Sequence, residues 1–196
     1  MSALAFVPGV PEPLVDGDEA PLPDGEAVAF PIPLGPALTL RFPSPFEPYL
    51  ELAGARVVDD DGGAARDALL WSARRLAALW RALDERTALR ATVVGGALGA
   101  AGGAFGGGDG AHIVVTDLVV ADRDDDAFEW ADHGVMRERL DAANVELARF
   151  SVLGPLSTKG ELEKRVRAIY APGTLVEVRI EDGQRVIARK RVRVGR

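Results

Sequence analysis

Eleven of the thirteen prolines fall in the first 48 residues. Proline lacks a backbone N–H and biases the residue before it away from helical geometry, so helix is disfavoured there. Residues 1–48 read as a proline-rich extended segment, either part of the domain or an arm. Short strands are expected at Ala27–Phe30 and Ala37–Phe42. Phe30, Ile32, Leu34, Leu38, Leu40 and Phe42 alternate, which favours strand pairing over disorder. Residues 49–196 then form the body of the fold.

Beyond the prolines, helical and extended periodicities take turns. Leu69, Ala73, Leu76, Trp80 and Leu83 recur at spacings of three and four, which predicts one helix over residues 66–84 with its tryptophans in the core. The run Asp59–Asp61 suits the N-terminus of that helix. Leu89–Val94 reads as a strand, and Ile113–Val120, apolar on both faces, as a central one. Arg123–Asp126 is a turn, and Asp132–Ala143 a helix with Val135, Leu140 and Ala143 inward. A further helix spans Thr158–Ile169, capped by Ser157 or Thr158 with Glu161 completing a capping box. Leu175–Ile180 and Arg185–Val194 flank Glu181–Asp182–Gly183 as a hairpin with an Asp-Gly turn. The sum is an α+β fold, antiparallel sheet crossed by two or three helices.

Composition closes several chemistries. Cysteine is absent, which excludes disulfides, thiolate zinc sites, iron–sulfur clusters and thiol nucleophiles. The net charge of −7 is uneven: residues 1–65 carry −9, residues 66–158 carry −4 and residues 159–196 carry +6. A basic C-terminal end can meet phosphate locally, while the overall field repels duplex nucleic acid. The three lysines are Lys159, Lys164 and Lys190, so a lysine nucleophile in the first 158 residues is excluded. No basic stretch precedes an apolar run at the start, so no secretory leader is expected and the cytoplasm is the expected compartment.

Several stretches invite a site. Gly95–Gly110 holds nine glycines but neither the lysine nor the Ser/Thr of a phosphate loop, and it reads as a glycine-rich loop between strands. Its four-residue glycine spacing resembles a membrane packing face, yet large apolar residues are too few to span. Asp122, Asp124, Asp125 and Asp126 read as a solvated turn rather than a metal seat. His133 stands beside Asp132 and Glu129, but adjacent helix positions do not face each other, so it reads as a surface histidine. A Gly-x-Ser-x-Gly elbow is absent. No metal and no cofactor is expected.

The order of segments carries a resemblance. ATVVGGALG (Ala91–Gly99) is followed by HIVVTDLVVAD (His112–Asp122), a helix near MRERLDAANV and LGPLSTKGELEKRV (Leu153–Val166). PGTLVEVRI and RVIARKRVRV then close the chain. Over about residues 85–196 this order resembles the adenylation domain of ATP-dependent RNA ligases and related covalent nucleotidyltransferases. The resemblance implies a nucleotidyltransferase (ATP-grasp-like ligase adenylation) architecture for residues 49–196. In that family the nucleophile is the lysine of Lys-x-Asp-Gly, whose amine takes AMP as a phosphoramidate. Here IPLGPALTL places Ile32 where the lysine belongs and Leu34 for the aspartate, and retains Gly35. The alternative, DDDGG, matches at Asp61 and Gly62 with Asp59 for the lysine.

Further along, Gly96–Ala97 stands where a Gly-Glu pair contacts ribose or metal. Thr116–Asp117 keeps an aspartate without the base-stacking aromatic, and Pro172–Gly173 replaces Glu-Gly. Lys190, in ARKRV, matches the lysine that contacts the α-phosphate. The resemblance therefore implies a degenerate member with no catalytic residue, an inactive ligase-like domain acting as an accessory or binding protein. The expected partner is a protein, with weak RNA or nucleotide contact through Lys190, Arg189, Arg191 and Arg193, helped by Asp117, and with no membrane. A protein-interaction module unrelated to ligases, with the proline-rich arm docking on a partner, is the alternative.

Overall fold

A computed structural model describes residues 12–13, 20–44, 47–58, 64–83, 87–94, 112–121 and 128–195. Along the chain run β1 (Glu12–Pro13), β2 (Glu26–Pro31), β3 (Ala37–Ser44), β4 (Glu47–Leu52) and β5 (Ala55–Arg56). Helices α1 (Ala64–Arg74) and α2 (Leu76–Ala82) follow, then β6 (Thr87–Val94), β7 (His112–Ala121) and β8 (Phe128–Trp130). Next come α3 (His133–Leu140), a 3-10 turn (Asp141–Ala143), β9 (Glu146–Leu147) and β10 (Ser151–Pro155). The last elements are α4 (Lys159–Ile169), β11 (Leu175–Glu181) and β12 (Val186–Arg193). Among the described residues the architecture is α+β with antiparallel sheets and four α-helices. The short pairs β1–β12 and β7–β9 are parallel.

The chain divides into two compact units, residues 1–32, 119–135 and 149–196 in the first, residues 33–118 and 136–148 in the second. The proline-rich segment is shared between them, with β2 in the first unit and β3 in the second.

In the first unit five strands lie in the order β1-β12-β11-β2-β10. Strand side chains alternate between faces, and one face carries Ala27, Ala29, Val176, Val178, Ile180, Ala188 and Val194. Leu162 and Val166 of α4 cover that face and complete the core. The start of α4 is fixed by a capping box: Thr158 Oγ1 accepts the Glu161 N–H at 3.3 Å, and Glu161 Oε2 accepts the Thr158 N–H at 3.4 Å. The expected hairpin forms between β11 and β12, with Asp182 Oδ1 accepting the N–H groups of Gln184 and Arg185 and Gly183 at φ 92°.

In the second unit β5, β4, β3, β6 and β7 lie side by side, with β9 on β7. Leu38, Leu40 and Phe42 share a face with Leu50 and Leu89, and Phe42 meets Trp80 of α2 edge to face at 5.9 Å. Strand β7 is buried on both faces over Val115–Val119, as its composition predicts.

Two expectations for the first helix change. The helix is broken at Arg75 into α1 and α2, next to Ser72, whose hydroxyl donates back to the Leu69 carbonyl at 2.9 Å and so weakens the helical ladder. Its buried positions are Ala65, Ala68 and Ser72 on α1 and Leu79 on α2, with Leu83 buried just past α2 as expected, while Ala73 is exposed. Among the described residues, no helix is long and apolar enough to cross a membrane.

Gly35 has a structural reason to be glycine. Pro36 O accepts the Val93 N–H at 3.0 Å, and a Cβ at residue 35 would be driven into the Val93 carbonyl. Gly35→Ala is expected to cost about 2 kcal/mol in urea unfolding through overpacking. Leu34→Ala, at a side chain 79% exposed, should stay within about 0.5 kcal/mol of the parent.

Candidate functional site

On β11 the apolar residues Val176, Val178 and Ile180 face α4, and the pleat sends Glu177, Arg179 and Glu181 to the opposite face. All three charged side chains are buried. Buried charge is tolerated only when paired and hydrogen-bonded. Glu177 meets this need by holding guanidinium groups. Arg179 donates to Glu177 Oε1 from Nε at 2.8 Å and from Nη2 at 2.6 Å. Arg191 Nε donates to Oε2 at 3.4 Å, and Arg189 Nη1 lies 3.9 Å from Oε1. Registry explains the gathering, since Arg191 pairs with Glu177 and Arg189 with Arg179 across the hairpin.

Aromatic rings frame these cations. The Arg179 guanidinium lies 4.7 Å from the Phe30 ring and 5.6 Å from Phe150, and Arg189 lies 3.9 Å from Trp130. Cation–π contacts of this kind favour guanidinium over ammonium. Arg191 and Arg193 are exposed on the same face, Arg193 donating to the Gly173 carbonyl at 3.2 Å.

The second chemical feature is a histidine–carboxylate pair. His133 Nδ1 lies 2.5 Å from Glu181 Oε2, the backbone N–H of His133 donates to both Glu181 oxygens, and the imidazole stacks on Phe150 at 5.6 Å. His133 is thus not a surface histidine: its side chain is only 18% exposed. Its sequence neighbours serve elsewhere, as expected. Asp132 Oδ1 caps α3 through the Val135 N–H at 2.6 Å, and Glu129 pairs with Arg185. The partner comes from 48 residues away, so no local pattern announces it.

Burial pushes the Glu181 carboxyl above its ordinary value, and the bonds from His133 offset part of that rise. Other predicted positions fall as follows. Lys190 pairs with Val178 and therefore lies on the α4-covered face of β12, apart from Arg189, Arg191 and Arg193. Pro172 and Gly173 form an exposed turn, Gly173 at φ 88°, that receives the Arg193 bond. The Ile32 N–H donates to the Leu175 carbonyl at 3.0 Å, a plain strand-end contact.

In the second unit, Thr116 Oγ1 donates to Asp117 Oδ2 at 2.9 Å, both side chains buried. The face of that sheet away from Phe42 carries Arg41, Tyr49, Glu51 and Arg56, with both guanidiniums against the Tyr49 ring at 4.7 and 5.3 Å. Gly96, Ala97, the glycine-rich stretch, Asp59–Gly62 and the Asp122–Asp126 cluster lie outside the described residues. Among the described residues no group of three or more His, Asp or Glu side chains could hold a metal ion.

These features define an α+β fold that resembles nucleotidyltransferase-type RNA ligases. The particular likenesses are to an archaeal ATP-dependent RNA ligase and to a Naegleria gruberi RNA ligase K326A mutant with ATP and Mn. The archaeal enzyme superposes with a TM-score of 0.57 at 12% identity, over 85% of this chain and 42% of that one. The Naegleria enzyme gives 0.53 at 10% identity, over 93% and 61%. The chain therefore spans about two fifths to three fifths of their lengths. No family model and no curated protein matches the sequence.

The raised Glu181 carboxyl has a signed consequence. A carboxyl whose folded pKa exceeds its unfolded value favours the folded state below the unfolded value, and that contribution is lost as pH rises through the folded one. Glu181→Gln removes the titration. The stability of the parent relative to Glu181→Gln should fall as pH rises from about 4.5 upward, read from urea midpoints at successive pH values; an unchanging difference would contradict the assignment.

Proposed function

We propose that this chain is a ligase-like nucleotidyltransferase domain that performs no covalent nucleotidyl transfer and acts as an accessory or binding protein. One observation carries the reading: the polar face of the first unit is furnished with guanidiniums and no amine. Lys190 lies on the opposite face of its strand, and Lys159 and Lys164 belong to α4. Residues 1–158 contain no lysine. A guanidinium stays protonated at physiological pH and cannot attack a phosphorus centre, whereas it binds phosphate well. Ile32 and Leu34, where the resemblance puts lysine and aspartate, are in keeping with lost chemistry. So is Pro172–Gly173, which offers no carboxylate.

A second reading, retained binding of RNA or nucleotide phosphate, is favoured by the exposed Arg191 and Arg193 on one face of β12. A protein partner remains part of the proposal on the strength of the accessory role alone.

Incubation with ATP or GTP labelled at the α-phosphate, with magnesium or manganese, followed by denaturing electrophoresis, is expected to leave the protein unlabelled. A covalent, acid-labile label would overturn the proposal. For the second reading, single-stranded RNA binding should weaken roughly tenfold in Arg191→Ala/Arg193→Ala, with the slope of log K against log salt flattening by about 1 to 2. Lys190→Ala should bind as the parent does. The reverse pattern would assign the contact to Lys190 and reject the arginine face.

A further inference from the structure

Helix α1 buries Ala65, Ala68 and Ser72. Asp67, Leu70, Trp71 and Arg74, at i, i+3, i+4 and i+7, share a different face, and that face walls a groove of about 490 Å³ in the second unit. The other wall is the segment Asn144–Glu146, with His112 and Ile113 at the start of β7 beside it. The core does not use this face of α1. Leu70 stays 45% exposed on it, an apolar side chain left without cover.

The charges along α1 are ordered. Asp67 lies in the first turn and Arg74 in the last, with Leu70 and Trp71 between them. Seven positions at about 1.5 Å each separate the two charges by about 10 Å along the axis. Arg75 adds a second cation at the Arg74 end. It donates from Nε to the Asn144 carbonyl at 3.1 Å and from Nη1 to the Trp71 carbonyl at 3.4 Å, and its guanidinium lies 5.1 Å from the Trp71 ring. Two backbone carbonyls therefore position this cation, and neither neutralises it. Among the described residues neither Arg74 nor Arg75 makes an ion pair with a carboxylate. On the other wall His112 and Glu146 are loosely paired at 3.8 Å and about half exposed.

Charges of both signs, spaced by a leucine and a tryptophan, restrict the occupant. Guanidiniums take carboxylates, Asp67 calls for a cation, and the surface between them takes apolar groups. An aliphatic chain would leave both charged ends without partners. A free amino acid holds its two charges on one carbon, too close together to reach both ends. A polypeptide in polyproline II conformation returns to the same edge every three residues, about 9 Å along its axis, close to the spacing of Asp67 and Arg74. A β-strand returns to one face at about 7 and 13 Å and fits less well. Polyproline II segments also dock in grooves lined by aromatic rings, because little conformational freedom is lost. We infer, resting on the accessory reading above, that this groove docks a proline-containing segment of a protein partner, with an acidic residue and a lysine or arginine three positions apart. The acidic residue meets Arg74 and Arg75, the basic one meets Asp67, and the intervening apolar residues lie on Leu70 and Trp71. The surface lies wholly in the second unit and is independent of the arginine face of β12.

The test titrates the full chain with two capped heptapeptides, Gly-Glu-Pro-Leu-Lys-Pro-Gly and the same sequence reversed, following tryptophan emission and heat. At least one should bind with a Kd of about 1 mM or tighter, and glycine in place of its prolines should weaken it severalfold. Arg74→Ala, at an exposed position, should weaken binding by about tenfold. Arg74→Glu should bind the peptide carrying lysine in place of glutamate better than the parent chain does, a rescue that a misfolded variant cannot give. Trp71→Phe should remove most of the emission change, and Arg191→Ala/Arg193→Ala should leave the affinity unchanged. Absence of binding at millimolar concentrations of both peptides, equal binding of the glycine peptide, unchanged affinity in Arg74→Ala or failure of the charge swap would each overturn the inference. Arg74-dependent binding of AMP without peptide binding would assign the groove to a nucleotide, and Arg74-dependent self-association in sedimentation would assign it to a second copy; either result also overturns it. A chain that takes the covalent label yet binds the peptide contradicts the inactive reading alone. An unlabelled chain that ignores the peptides contradicts the groove alone.

Discussion

The polar half of the first unit depends on a single buried carboxylate. Glu177 stands on the face of β11 that α4 does not cover, and Arg179, Arg189 and Arg191 converge on it from two strands. Taking such charges out of water is costly, and the mutual attraction roughly offsets that cost, so the cluster adds little net stability. What it does fix is geometry. Removing Glu177 alone would leave the buried Arg179 cation without its main counter-charge, a loss of about 3–5 kcal/mol for pairs of this kind. The rings of Phe30, Phe150 and Trp130 stand against the Arg179 and Arg189 guanidiniums, so these two are held as parts of the sheet, whereas Arg191 is exposed.

This rigidity bears on what the face is able to do. Arg179 is buried, and of the guanidiniums gathered on Glu177 the exposed Arg191 is the one able to offer N–H groups to phosphate oxygens. The same group is useless as a nucleophile. A lysine in the same setting would keep a flexible stem and an amine whose pKa burial lowers, the properties that covalent catalysis uses. Arginine along β11 and β12 thus supplies permanent positive charge and hydrogen-bond donors but no nucleophile.

How far the sequence reveals this depends on how local each cause is. Helix α4 and the β11–β12 hairpin were legible because a capping box and an Asp-Gly turn act within a few residues. The face of α1 was misread because large apolar residues were counted inward, whereas Ala65, Ala68 and Ser72 are the buried ones. The strands β4, β5, β8, β9 and β10 were missed, being short or proline-bearing and set by their partners. The side of Lys190 was in fact available: Val186, Ala188, Val192 and Val194 alternate with Arg189, Arg191 and Arg193 and put residue 190 among the apolar positions. The same count along β11 separates Glu177, Arg179 and Glu181 from Val176, Val178 and Ile180. By contrast the His133–Glu181 pair needs tertiary pairing and leaves no local trace.

The glycines bring out a distinction between what backbone geometry demands and what chemistry demands. Gly35 stands where a Cβ would strike the Val93 carbonyl. Gly173 stands in a turn at φ 88°, a conformation that a side chain would strain, and its carbonyl accepts from Arg193. Both are held by backbone geometry that the sheet requires with or without a bound nucleotide. Either glycine is thus accounted for by the fold alone, independently of any reaction.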